Sequence, residues 1–200
     1  MDRERSQGRD RRSGQERRED AGRASDRRDV AERRIALDRV QDQARIKQLA
    51  NQWRTMERDH PQWSHAFQRH VDINNEQLAR RAASGELPGG GHGEAPANAT
   101  RWQSADAMVV ATHGLANSPE YRAKLASAEA NGTVRFTVTR PLPEVLGPAW
   151  RADVYGRTAA SRGNQASQWD AGGVAVGTWQ RRSDGRWHPL TCYPQPGALR

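Results

Sequence analysis

Acid–base chemistry without a metal needs an imidazole near neutrality and a cation for phosphoryl or acyl oxygens. Residues 65–81, HAFQRHVDINNEQLARR, concentrate both in His65, Arg69, His70 and Arg81. A histidine takes up a proton near pH 7, and a guanidinium grips two oxygens at once. His70 and Arg81 stand eleven residues apart. On one continuous helix they would share a face but lie roughly 16 Å apart, too far for one phosphate. The break at VDINN resolves this if the first helix ends near Val71 and the second turns back. At the other end of the chain, LTCYP places Thr191 and Tyr193 on one face of a presumed strand and Cys192 on the other. The same parity puts His188 with Cys192, unless Pro189 bends the chain, so His188 ranks below Tyr193 as a catalytic group. His65, about 140° from His70 around a regular helix, would order the site or touch substrate.

Other chemistries find little support. There is no HExxH or CxxC, and the single cysteine removes disulfide frameworks and Cys-based zinc sites. Residues 60–200 hold 11 acids, scattered singly, where two-metal nucleases need clustered carboxylates. No GxxxxGK[ST] loop occurs, and GGGHG lacks the flanking strand and helix of a nucleotide fingerprint, so it reads as a linker. The expectation is no metal and no cofactor.

The elements that must position these groups follow from periodicity. Residues 1–59 form an Arg-rich polyampholyte arm with 17 basic and 13 acidic residues. After Met1 nothing through Asp29 is Val, Ile, Leu, Met or aromatic, so residues 1–28 are expected to be disordered. Over 29–58 a thin stripe including Val40, Ile46, Leu49, Trp53 and Met56 predicts an amphipathic helix. That stripe would lie on the following domain, pair with another helix, or dock on a delivery partner. A folded domain is expected over 60–198. Its helices are read at His60 to His70, from a cap at Asn74 or Asn75 onward, at Ser104 to Leu115 and at Ser118 to Ala130. Between the second and third lies a Gly- and Pro-rich loop carrying His92, expected to be mobile. TVRFTVTR, AWRADVYG, GGVAVGTWQRR and WHPLTCYP alternate as strands, the last two joined at Ser183-Asp184-Gly185. Helices followed by strands predict an α+β domain with an antiparallel sheet. The six Trp residues beyond Trp53 are expected mostly in the core, with one or two free to stack bases.

Composition points to a partner. The chain has 200 residues, 34% hydrophobic, with a formal charge of +8 and a mean hydropathy of −1.02. Thirty of its 32 basic residues are Arg, only Lys47 and Lys124 being Lys. Arginine suits a polyanion, and a GC-rich genome would produce the same bias. No run of 18 apolar residues suggests a membrane span, and the N-terminus has no apolar core of a Sec signal, so any export would use another route.

The order H-x-x-x-R-H-V, an Arg eleven residues after the second His, ATRW, a Gly-Arg-Trp hairpin and a terminal L-T-x-Y-P resembles the bacterial ribonuclease A-like toxin domain of contact-dependent inhibition and other polymorphic toxin systems. The resemblance spans about residues 60–196. It implies a ribonuclease A-like fold, N-terminal helices followed by a curved antiparallel β-sheet, without disulfides or metal. It implies a catalytic set of His70, Arg81, Thr191 and Tyr193; His65, Arg69 and His188, from their places beside that set, are expected to bind the RNA substrate. The expected reaction is metal-free RNA cleavage by attack of the ribose 2′-OH on the adjacent phosphorus. A cognate immunity protein is implied, with delivery into a competitor's cytoplasm by a non-Sec route, served by a partner of residues 1–59. Those domains usually end a very long secreted protein, whereas here only a 59-residue arm precedes. Two other classes stay open. A non-enzymatic nucleic-acid-binding protein would need only the basic surface, and an ADP-ribosyltransferase would usually need a catalytic Glu that the sparse acids do not offer.

Overall fold

The computed structural model describes residues 38–197, so the disorder expected over 1–28 and the helix start expected at 29 lie outside the described residues. The chain divides into two compact units, Met1–Arg45 and Ile46–Arg200. In the first, residues 38–45 are helical. The second is a mixed α+β unit and carries every candidate residue.

It begins with α1, residues 46–59, whose Ile46, Ala50 and Trp53 pack on the core. Of the three fates open to that apolar stripe, this segment takes the first. Two short-range helices follow, α2 (Ala66–His70) and α3 (Asn75–Ser84), then β1 (Asn98–Trp102), α4 (Ala105–Ala116), α5 (Pro119–Ala130), β2 (Arg135–Pro141), α6 (Leu142–Leu146), β3 (Val154–Thr158), β4 (Gly173–Arg181) and β5 (Trp187–Pro196). Local chemistry sets three of the helix starts. Asn74 and Gln77 form a reciprocal capping box on α3, Ser104 accepts from the Ala107 amide on α4, and Ser118 caps α5 with Pro119 in its first turn. The β4–β5 hairpin turns through 182–186, where Gly185 at φ 80° donates to the Arg182 carbonyl.

Four expectations change, the first over AWRADVYG, where Trp150–Asp153 form a 3-10 turn and only Val154 onward is strand. The helix read from His60 is only the last five residues of that span, because residues 61–63 turn after Pro61 and the first amides of α2 are claimed by another side chain. The Gly-rich loop is tied down, with Gly85 (φ 78°) closing α3 and the amides of Leu87 and Gly93 bonding to the carbonyls of Gly91 and Gly85. A Cβ on Gly85 would meet the Gly93 oxygen at 2.0 Å, so only glycine fits there. The strands make two antiparallel sheets, β1-β3 and β2-β4-β5, where one was expected. Side chains join them: the Trp102 indole donates to the Cys192 carbonyl at 3.0 Å and the Thr100 hydroxyl donates to the Pro194 carbonyl. Both acceptors lie on β5, which Pro194 and Pro196 deprive of two backbone donors.

The core lies between α4, α5 and the inner face of β2-β4-β5, around Trp102, Met108, Leu115, Val138, Leu142, Trp150, Trp179 and Cys192. Alternation along the strands then leaves the opposite face of this sheet for polar residues.

Candidate active site

That face can be read row by row from the strand register. Arg135, Gln180 and His188 face one another across the three strands, then Thr137, Thr178 and Thr191, then Thr139, Val176 and Tyr193. The Thr137 and Thr178 hydroxyls are 3.0 Å apart and the Arg135 guanidinium donates to the Gln180 amide oxygen at 2.8 Å. His188 belongs here because of a bulge: Thr178 opposes Thr191 and Trp179 opposes Pro189, which leaves Leu190 unpaired. The extra residue reverses the parity, so His188 shares the face of Thr191 and Tyr193 and does not point with Cys192. The bend foreseen at Pro189 is realised one residue later. The His188 Nε2 is buried without a partner.

Helix α2 docks on this strand. The freed Leu190 carbonyl accepts the His65 amide at 3.2 Å. At the same end the buried Glu57 of α1 accepts the Ser64 hydroxyl at 2.9 Å and the amides of Phe67 and Gln68 at 3.0 and 2.9 Å. Glu57 therefore caps a helix whose own N-cap, His65, offers no side-chain bond.

His70 ends α2, 5% exposed, and its ring lies over Tyr193 with centroids 5.0 Å apart and planes at 22°. Its Nδ1 is 3.2 Å from the Thr100 carbonyl. A carbonyl only accepts, so Nδ1 carries the proton and Nε2 keeps the free lone pair. After His70 the chain turns at Val71–Ile73 and α3 runs back, which brings the Arg81 guanidinium to the Arg69 carbonyl at 3.1 Å. The break at VDINN thus brings His70 and Arg81 to one site, with the Arg81 charge acting on both His70 and Tyr193. Thr191, 8% exposed, sits two residues before Tyr193 on the same face, and its hydroxyl has no partner. His65 approaches His70 to 6.4 Å between ring centroids, since it precedes the helix and escapes the 140° separation. Arg69 is half-buried beside them.

Electrostatics set the protonation states. Burial and then the Arg81 charge hold His70 well below its ordinary value, against a smaller upward pull from the Thr100 carbonyl. Burial, followed by Arg69, Arg81 and Arg135, pushes His65 down to about 4. Both rings are neutral at pH 7. Burial raises the Tyr193 phenol, with Arg81 opposing, and lowers Arg81 and His188. Among the described residues Arg69, Arg81 and Arg135 make no salt bridge, whereas Arg54, Arg58, Arg80 and Arg140 do. The arrangement offers a neutral base, an unneutralised cation, a phenol and a hydroxyl at one place. Compared with family models, curated proteins and solved structures, the chain matches none.

No three His, Cys, Asp or Glu side chains converge among the described residues. No helix there is long and apolar enough to cross a membrane. Two cavities lie elsewhere, one of about 400 Å³ beside Arg54, Glu57 and Asp72 and one of about 380 Å³ beside Leu49, Trp53, Val109 and Trp179. The four candidate residues line neither. Sequence reasoning missed Arg135, Thr137, Thr178, Gln180 and Glu57. The alternation of TVRFTVTR did carry a signal for the first two, since its polar positions oppose Phe136 and Val138.

Proposed function

We propose that the chain is a metal-independent endoribonuclease with a ribonuclease A-like arrangement of helices and sheet. The observation that carries this reading is the His70 ring, fixed by the Thr100 carbonyl at Nδ1, stacked on Tyr193 and flanked by Arg81. In the proposed reaction His70 Nε2 takes the proton of a ribose 2′-OH, the freed oxygen bonds to the adjacent phosphorus, and the bond to the 5′-oxygen breaks. Arg81 stabilises charge on the nonbridging oxygens. Tyr193, kept protonated by burial, gives its proton to the leaving oxygen, and the phenolate regains a proton from water as the His70 imidazolium releases one to water. Thr191 donates to the phosphate. The products are a 2′,3′-cyclic phosphate and a 5′-hydroxyl, so DNA is not a substrate.

The biological role we propose is that of a toxin delivered by a non-Sec route into a competitor's cytoplasm, with the part of the 1–59 arm that precedes Ile46 engaging a delivery partner. The producing cell would then hold an immunity protein, with an acidic surface complementary to the unpaired arginines. Incubation of the protein with total RNA in EDTA tests the enzyme reading. Cleavage that disappears in His70→Ala is expected. Intact RNA with the wild-type protein overturns it and leaves a binding protein, whose salt-sensitive affinity would survive the same substitution.

A further inference from the structure

The residues around His70 account for one phosphate, yet the polar face of the sheet continues beyond them. From Thr191 the threonine row crosses β4 to Thr137, passing from a buried hydroxyl to an exposed one. One step of two residues along the strands, about 6.7 Å, lies the row of Arg135, Gln180 and His188. Arg135 also stands two strands across from Thr191, so their backbones are about 12 Å apart, a span for the long arginine side chain and one nucleotide together. Arg135 is exposed, makes no salt bridge among the described residues, and is held over the face by its bond to Gln180. It lies close enough to His65 for its charge to act on that ring, and His65 in turn lies beside His70. Polar and basic side chains are therefore continuous from His70 to the open edge strand, with Arg135 the cation at the outer end.

We propose that Arg135, positioned by Gln180 and joined by His65, binds the phosphodiester next to the scissile one, so that the ligand is a single-stranded RNA of three or more nucleotides. The scissile position rests on the nuclease reading; the contact itself does not. The threonine row beneath would meet the nucleoside between the two phosphates, with hydroxyls that both donate and accept.

Titration with 2′-O-methylated RNA di- and tetranucleotides tests this, since they lack the nucleophile and cannot be cleaved. The wild-type protein should prefer the tetranucleotide. Arg135→Ala should reduce that preference about tenfold, as loss of one charge-assisted contact does, and lower the slope of log affinity against log salt by about 0.7. Arg135→Lys should keep most of the preference, and so should Arg122→Ala on α5, behind the sheet. A wild-type protein without length preference, or one that keeps it in Arg135→Ala, overturns the proposal. A protein that shows the preference but leaves total RNA intact overturns the nuclease reading alone.

Discussion

The carboxylate of Glu57 accepts the backbone amide of Gln68 at 2.9 Å, so α1 supplies the cap that α2 lacks. The His70 ring at the far end of α2 thereby depends on a residue thirteen positions earlier. A buried carboxylate that satisfies two amides and a hydroxyl cannot be removed without leaving them unpaired. Glu57→Ala should lower stability by about 2 kcal/mol, or roughly 4–8 °C in the midpoint of thermal unfolding for a domain of this size. An unchanged midpoint would refute the capping role.

Tyr193→Phe keeps the ring stacked on His70 and removes only the hydroxyl. Cleavage should fall about 100-fold with the melting temperature nearly unchanged. Single-turnover rates on a defined RNA would measure it, and a wild-type rate would remove Tyr193 from the proton transfer.

Thr191 makes a different prediction because its buried hydroxyl has no partner in the protein. Thr191→Val should leave the protein as stable or more so, since an unsatisfied polar group is replaced by a methyl, and should still lose about tenfold in cleavage. Lower stability together with full activity would contradict both parts.

Acid should destabilise this protein through its three depressed imidazoles, His65, His70 and His188. Each has a folded-state value below the unfolded one near 6.5, His65 at about 4. Between those values the unfolded chain binds more protons than the folded one, so stability falls as pH drops from about 6.5 towards 4. Denaturant midpoints across that range should show the slope, and it should flatten in His65→Gln.

The helix starts at Asn74, Ser104 and Ser118 were legible because the residue that caps each satisfies an amide within three residues of itself. The facing of Thr191 and Tyr193 was legible because parity is local. The role of Glu57, the strand β1 and the facing of His188 were not. Each depends on a partner distant in the chain: α2 for Glu57, β3 for β1, and the β4 register for Leu190. Sequence periodicity reports which side of an element is apolar, and says nothing of an extra residue that only the neighbouring strand reveals.

That extra residue makes β5 sensitive to its own length. Ahead of Leu190 the strand runs in one phase and after it in the other, which is how His188, Thr191 and Tyr193 come to share an outlook while Pro189 and Cys192 turn inward. Substitutions at Leu190 preserve that phase. Deleting Leu190 would leave a regular ladder in which Trp179 still opposes Pro189 and Thr178 still opposes Thr191, so His188 would keep its face, but the deletion would withdraw the carbonyl on which His65 rests and with it the docking of α2. Homologous chains that keep this chemistry should therefore vary in residue type at position 190 far more freely than in residue count between Trp187 and Tyr193.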